Sequence, residues 1–154
     1  MGLFSKRIKH KLFNNLERGL VSYTGYIDLG SDTNVEVYIR SRKKRGLEKA
    51  EEQTLKMIPN FEEIKKSATK DFYESYIIMR DAIKDGEIDL DDEVILPEMK
   101  DANDVWEYLK LEDIIIEPNS DYPLRIGFRA PWDIEHDYGI LVKDGDFQYC
   151  GVSV

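Results

Sequence analysis

Seven apolar residues, Phe61, Ile64, Ala68, Phe72, Tyr76, Met79 and Ile83, recur at steps of 3, 4, 4, 4, 3 and 4. That spacing lines one side of an α-helix of about six turns. A helix of that length with a single apolar stripe must lie on a broad apolar surface. The rest of the chain has to supply it, and the stripe reads as core rather than as a cofactor box. Asn60 stands where a cap is expected, with Glu63 three residues later as in a capping box. Gly86 supplies the stop. A shorter helix precedes it. Leu47, Ala50, Thr54, Leu55 and Ile58 share one face, and Pro59 ends it.

The apolar surface comes from strands. Val35, Val37 and Ile39 alternate with Asn34, Glu36 and Tyr38, the period of a half-buried strand. Residues 23–29 read as its hairpin partner across the turn-forming run from Gly30 to Asn34. Further on, a short helix over residues 103–110 carries Val105, Trp106 and Leu109 inward. Ile114, Ile115 and Ile116 read as a buried strand, and Leu124, Ile126 and Phe128 alternate as another. Asp144-Gly145 between residues 139–143 and 146–152 is a type I′ hairpin signal. Helices and strands are segregated, so the expected fold is α+β: a mostly antiparallel sheet packed by a pair of helices plus one short helix. The 154 residues suit one domain, 1–154, without repeats or a linker.

Residues 3–20 are ambiguous. Phe4, Ile8, Leu12, Leu16 and Leu20 recur every four residues among Lys6, Arg7, Lys9 and Lys11. The segment reads as a peripheral basic amphipathic helix, docked on the core or on a membrane surface, or as an entry into the first strand. No apolar run reaches the length of a membrane span, the N-terminus lacks a signal-peptide order, and Lys6 breaks the myristoylation pattern. The lone Cys150 fits a reducing compartment and a buried hydrophobe, and the expectation is cytoplasmic.

Charge is unevenly spread. Residues 1–70 carry 15 Lys and Arg against 9 Asp and Glu, net +6; residues 71–154 carry 7 against 22, net −15. General nucleic-acid binding is not expected of a chain of net charge −9. The basic run Arg40-Ser41-Arg42-Lys43-Lys44-Arg45 lacks interleaved aromatics and reads as a solvated loop. Asp85, Glu87, Asp89, Asp91, Asp92 and Glu93 form an acidic loop. A calcium loop starting at Asp85 would need Gly and Glu where Leu90 and Leu96 stand, so no EF-hand is read. These acids, with Asp101 and Asp104, are instead the candidate surface for a basic partner.

One constellation carries candidate chemistry. Trp132-Asp133-Ile134-Glu135-His136 follows Pro131 between two strands. Asp133, Glu135 and His136 read as a metal trio or as a general base with a carboxylate fixing its tautomer. Three donors within four residues rarely converge on one ion, and no nucleophile motif accompanies the histidine. The favoured reading is structural. Trp132 buries its ring, Asp133 accepts backbone N–H groups, His136 holds the loop, and Gly139 permits a tight entry into the next strand. No cofactor and no metal are expected.

Trp132-Asp133-x-Glu135-His136-x-x-Gly139-Ile140, followed by Asp144-Gly145, resembles the C-terminal signature of a bacterial family of uncharacterised domains with a WDxEHGxG motif before a final hairpin. The order of preceding elements is similar. The chain departs at Asp137, where that family carries glycine. Some members sit beside polymorphic-toxin genes and are taken for immunity proteins. The resemblance implies an immunity protein, and the acidic surface with the lack of a catalytic motif adds the expectation of a non-catalytic domain that binds and neutralises a basic toxin. The alternative is a small hydrolase or metal-dependent enzyme centred on Asp133, Glu135 and His136.

Overall fold

The computed structural model describes residues 5–152. Eight strands form one sheet in chain order: β1 (Lys6–Arg7), β2 (Asn14–Arg18), β3 (Tyr23–Leu29), β4 (Asp32–Ile39), β5 (Lys110–Ile116), β6 (Leu124–Ala130), β7 (Asp133–Lys143) and β8 (Asp146–Val152). Every neighbouring pair is antiparallel except β4 and β5, which run parallel with Val37 beside Ile114 and Ile39 beside Ile116. A parallel neighbour cannot be reached by a tight turn and needs a long crossover. Residues 40–109 are that crossover. They carry α1 (Lys44–Met57), a short 3-10 turn (Ile58–Asn60), α2 (Phe61–Lys84) and, after an extended strap, α3 (Val105–Tyr108).

The segregated α+β architecture with its largely antiparallel sheet is therefore present. Alternation along the strands sets the core: Tyr23, Ile27 and Leu29, Val35, Val37 and Ile39, Ile114 and Ile116, Leu124, Ile126 and Phe128, and Ile140 and Val142 are all buried. The α2 stripe meets them through Phe61, Ile64, Ala68, Phe72 and Tyr76, also buried. Phe72 is the centre of contact. Its ring lies edge-on to Trp106 at 5.4 Å and to Phe128 at 5.6 Å, and is tilted against Tyr138 at 5.8 Å. Trp106 anchors its indole N–H on Thr69 Oγ1 at 2.9 Å, which in turn donates to the Lys65 carbonyl. The buried polar groups of this seam are thus paired.

Several local expectations change. Residues 8–20 form no helix. They hold the turn after β1 and then β2, with Phe13 and Leu16 fully buried and Leu20 exposed. The His10 ring explains the turn: Nδ1 accepts the backbone N–H groups of Leu12 and Phe13 at 3.1 and 3.2 Å, leaving Nε2 to meet Glu51 of α1 at 3.3 Å. A side chain that bonds the backbone this way competes with helix formation. Phe4 of the four-residue stripe lies outside the described residues. In α1, Leu55 faces solvent and Met57 takes the core position instead. Asn60 makes no cap. Its amide donates to the Gly145 carbonyl at 3.0 Å, tying the α1–α2 corner to the β7–β8 turn. Ile115 is only half-buried, because its neighbours Ile114 and Ile116 face the helices and it faces the other way. The Asp144-Gly145 turn has φ of 52° and 83°, as a type I′ turn requires.

No helix among the described residues is long and apolar enough to cross a membrane. The packing predicts a sharp contrast in chemical denaturation. Phe72→Ala lowers stability by about 3–5 kcal/mol, because a ring in contact with three others leaves a cavity. Leu55→Ala stays within about 0.5 kcal/mol of the parent.

Candidate functional site

The constellation near the C-terminus opens β7. Trp132 sits in the β6–β7 turn, fully buried, with its ring edge-on to Tyr76 at 5.7 Å. Its Nε1 donates to Ser75 Oγ of α2 at 3.1 Å, and Ser75 passes its own hydrogen to the Phe72 carbonyl. Asp133 follows and is nearly buried, at 7% exposure. The Tyr138 hydroxyl donates to its Oδ2 at 2.8 Å, the Glu135 backbone N–H reaches Oδ1 at 3.3 Å, and His136 Nδ1 lies 3.0 Å from Oδ1 and 3.1 Å from Oδ2. This is how a buried carboxylate is accommodated: several donors replace the lost water.

The three candidate catalytic residues therefore divide. Asp133 points inward. Glu135 is exposed, and the His136 side chain is half exposed. Asp133 holds His136 by Nδ1 and leaves Nε2 outward. None of the hollows described below is lined by these three residues. Among the described residues, no group of three or more His, Cys, Asp or Glu side chains is placed to hold a metal ion. Gly139 lies well inside β7, opposite Gly127 and Gly151, rather than at its entry. Asp137 lies in the same strand without the positive φ that calls for glycine.

The acidic loop is part of the strap between α2 and α3. Asp85, Glu87, Asp89, Asp91, Asp92 and Glu93 are all exposed, and none has a cationic partner among the described residues. Ile88 and Leu90 between them are also exposed. The strap is fastened downstream, where Ile95 N–H donates to the Pro131 carbonyl at 2.9 Å and the Tyr76 hydroxyl donates to the Pro97 carbonyl. Asp101 and Asp104 form a reciprocal capping box on the 3-10 turn Ala102–Asp104 that leads into α3. The basic run is a connection: Arg40 pairs with Glu117, the Arg42 carbonyl accepts from Arg18 and Tyr23, and Lys44 and Arg45 open α1.

A further group of residues escaped sequence reasoning. On the side of the sheet away from the helices, Tyr38, Ile115, Arg125, Leu141 and Tyr149 are register partners in one row across β4 to β8. The adjacent row is Glu36, Asp113, Gly127, Gly139 and Gly151. A β-carbon at Gly127 would fall 2.2 Å from Asp113 Oδ1 and 2.8 Å from Arg125 Nη1, so the glycine makes room for that pair. The pair is loose, at 3.5 Å. Burial pushes the Asp113 carboxyl above the ordinary range, Arg125 opposes this, and Glu112, Asp137 and Glu36 add to it. Tyr38 is pushed up to about 12, first by its hydrogen bond to Glu36 and then by burial. A hollow of about 570 Å³ opens here, with Arg40, Asp113, Tyr122, Arg125 and Asp137 on its walls. The one sequence signal was the spacing of Gly127, Gly139 and Gly151, twelve residues apart, which aligns them across three successive strands.

Two weakly acidic side chains are buried on β7 and β8. Burial, and then the bond to Asp133, raises the Tyr138 hydroxyl well above a tyrosine's usual value. Burial, with Asp71 nearby, pushes the Cys150 thiol from 9.0 up to about 12. In both, the neutral form is the one the fold favours. Their contributions are complete below the ordinary pKa and are lost as pH rises toward the raised one. Stability measured in urea should fall from pH 9 upward. Cys150→Ala should flatten the part between pH 9 and 12, and Tyr138→Phe the part above about pH 10. At neutral pH, Tyr138→Phe should cost about 1–2 kcal/mol, since Asp133 loses a donor.

No curated protein and no solved structure matches the chain. The family described as Domain of unknown function (DUF6985) matches residues 12–153, which takes in all of the sheet from β2 onward and all three helices, and the chain belongs to that family.

Proposed function

We propose that this domain is a non-catalytic binding protein that captures a basic protein partner, and that its role is that of an immunity protein neutralising a basic bacterial toxin in the cytoplasm. The observation that carries the reading is the strap. Six carboxylates stand exposed within nine residues, none is met by a cation of the described residues, and Ile88 and Leu90 are exposed among them. Unmatched surface charge of one sign raises the rate at which an oppositely charged partner arrives. Interleaved apolar side chains add contact once it has arrived. The resemblance of the Trp132–Gly139 motif to a family of uncharacterised domains, some of them encoded beside toxin genes, supports the same reading.

A second reading has one observation in its favour. The Asp133 carboxylate lies 3.0 Å from His136 Nδ1, an arrangement that orients an imidazole as a general base. Under that reading the domain is a small hydrolase or a metal-dependent enzyme. Metal analysis of the purified protein separates the two. Stoichiometric metal lost in His136→Ala without unfolding favours the enzyme, and a metal-free protein removes its metal-dependent form.

If a toxin domain is encoded beside the gene, the binding reading is tested by co-expressing the two. Changing the six strap acids to Asn or Gln should abolish protection from the toxin. The same change should weaken affinity by at least about tenfold at low salt, the loss shrinking as salt screens the charge. Unchanged protection and affinity would show that the strap is not the surface.

A further inference from the structure

We propose that the helix-free face of the sheet, centred on the β4–β5 parallel pair, is a second docking surface for the same basic protein, and that an arginine or lysine of that protein enters the hollow beside Asp113 and Asp137. This rests on the basic-partner reading and adds a surface to it.

The argument starts from what the crossover leaves bare. The helices lie on one face, so among the described residues no helix or strand is layered over the row Tyr38, Ile115, Arg125, Leu141 and Tyr149. Tyr149 is 54% exposed and Tyr122, at the rim, 50%. Beside Tyr38 and Ile115 the β2–β3 turn presents Val21 at 77% exposure, and these three line a hollow of about 530 Å³. Tyrosine and arginine are among the residues enriched in protein interfaces.

Charge selects the partner. Three adjoining hollows share Asp113, and six carboxylates line them against the three cations Arg40, Lys110 and Arg125. Glu117, Asp113 and Glu112 are met by Arg40, Arg125 and Arg129. Asp32, Glu36 and Asp137 have no ion-pair partner among the described residues. Asp113 is the best placed of the paired acids to accept a new donor, because its contact with Arg125 is long, at 3.5 Å, and its side chain keeps 30% exposure. A guanidinium or ammonium entering the hollow meets Asp113 and Asp137 together. Its alkyl stem lies against Ile115 and Leu141, which line the same hollow.

The test is a titration of the full ¹⁵N-labelled chain with an acetylated, amidated hexa-arginine peptide at low ionic strength. Two separate sets of amide shifts are expected, one in the strap and one on the face at Glu36, Tyr38, Asp113, Ile115, Gly127 and Asp137. Asp113→Asn with Asp137→Asn should weaken the face set by at least about tenfold and leave the strap set in place. Should Asp113→Asn disturb the fold, Asp137→Asn with Val21→Lys, both at exposed positions, serves the same purpose. Shifts confined to the strap would overturn the second surface while leaving the basic-partner reading intact. A face set that persists undiminished in the variants would overturn the role of these carboxylates. Binding at neither place would remove both proposals.

Discussion

The parallel register between β4 and β5 is the constraint on which the rest depends. Every other strand pair is an antiparallel neighbour that a turn can join, but Val37 and Ile114 can meet in parallel only if the chain first travels back along the sheet. The return occupies residues 40–109, and it carries all three helices to one side. One face of the sheet thereby becomes a core, sealed by Phe72 against Trp106, Phe128 and Tyr138. The other face is left without a second layer among the described residues. An antiparallel sheet tolerates this when the outward positions alternate to polar residues. Here they include tyrosines, a half-buried isoleucine and a mixed set of charges, more than solvation requires.

The same helical layer accounts for the aromatic-acid-imidazole segment. Trp132 reaches Ser75, and Ser75 is bonded to the Phe72 carbonyl, so the β6–β7 turn is fixed to the helix turn that carries the central ring. Asp133 then gathers Tyr138, His136 and the Glu135 backbone around a carboxylate nearly shut from water. Each donor it takes is an acceptor site that a substrate or an ion would have to win back. A carboxylate saturated by its own strand serves first to fix the start of β7, and the half-exposed imidazole and the Glu135 side chain face outward.

Much of the fold was legible because periodicity reports burial directly. The α2 stripe, the 34–39 alternation and the Asp144-Gly145 turn each specify an element by spacing alone. Where periodicity failed, a longer-range contact had intervened. Leu12, Leu16 and Leu20 fit a helical step, but His10 bonds the backbone of Leu12 and Phe13 and turns the chain. Asn60 looked like a cap, but Gly145, far along the sequence, accepts its amide. The isoleucine triplet looked uniformly buried, but the helices cover only one side of β5. The open face was the least legible part. Glu36, Asp113, Arg125 and Asp137 come from four strands, and only the crossover brings β4 beside β5. No local pattern encodes such a neighbourhood, apart from the regular spacing of the glycines that keep part of it flat.

The two acidic surfaces differ in the kind of energy they can supply. The strap carboxylates are exposed and lie on a segment with few anchors, so water and salt screen them. Their effect is long in range and small per contact, suited to bringing a cationic partner in. Asp113 stands on a strand, partly desolvated, beside an arginine with little exposure and above a glycine that gives it room. A charge met there interacts in a poorer dielectric, with its geometry fixed by the sheet before the partner arrives. A domain built on this division uses loose charge to speed encounter and rigid charge to hold register. The bare face of the sheet is then a consequence of the crossover that recognition can exploit.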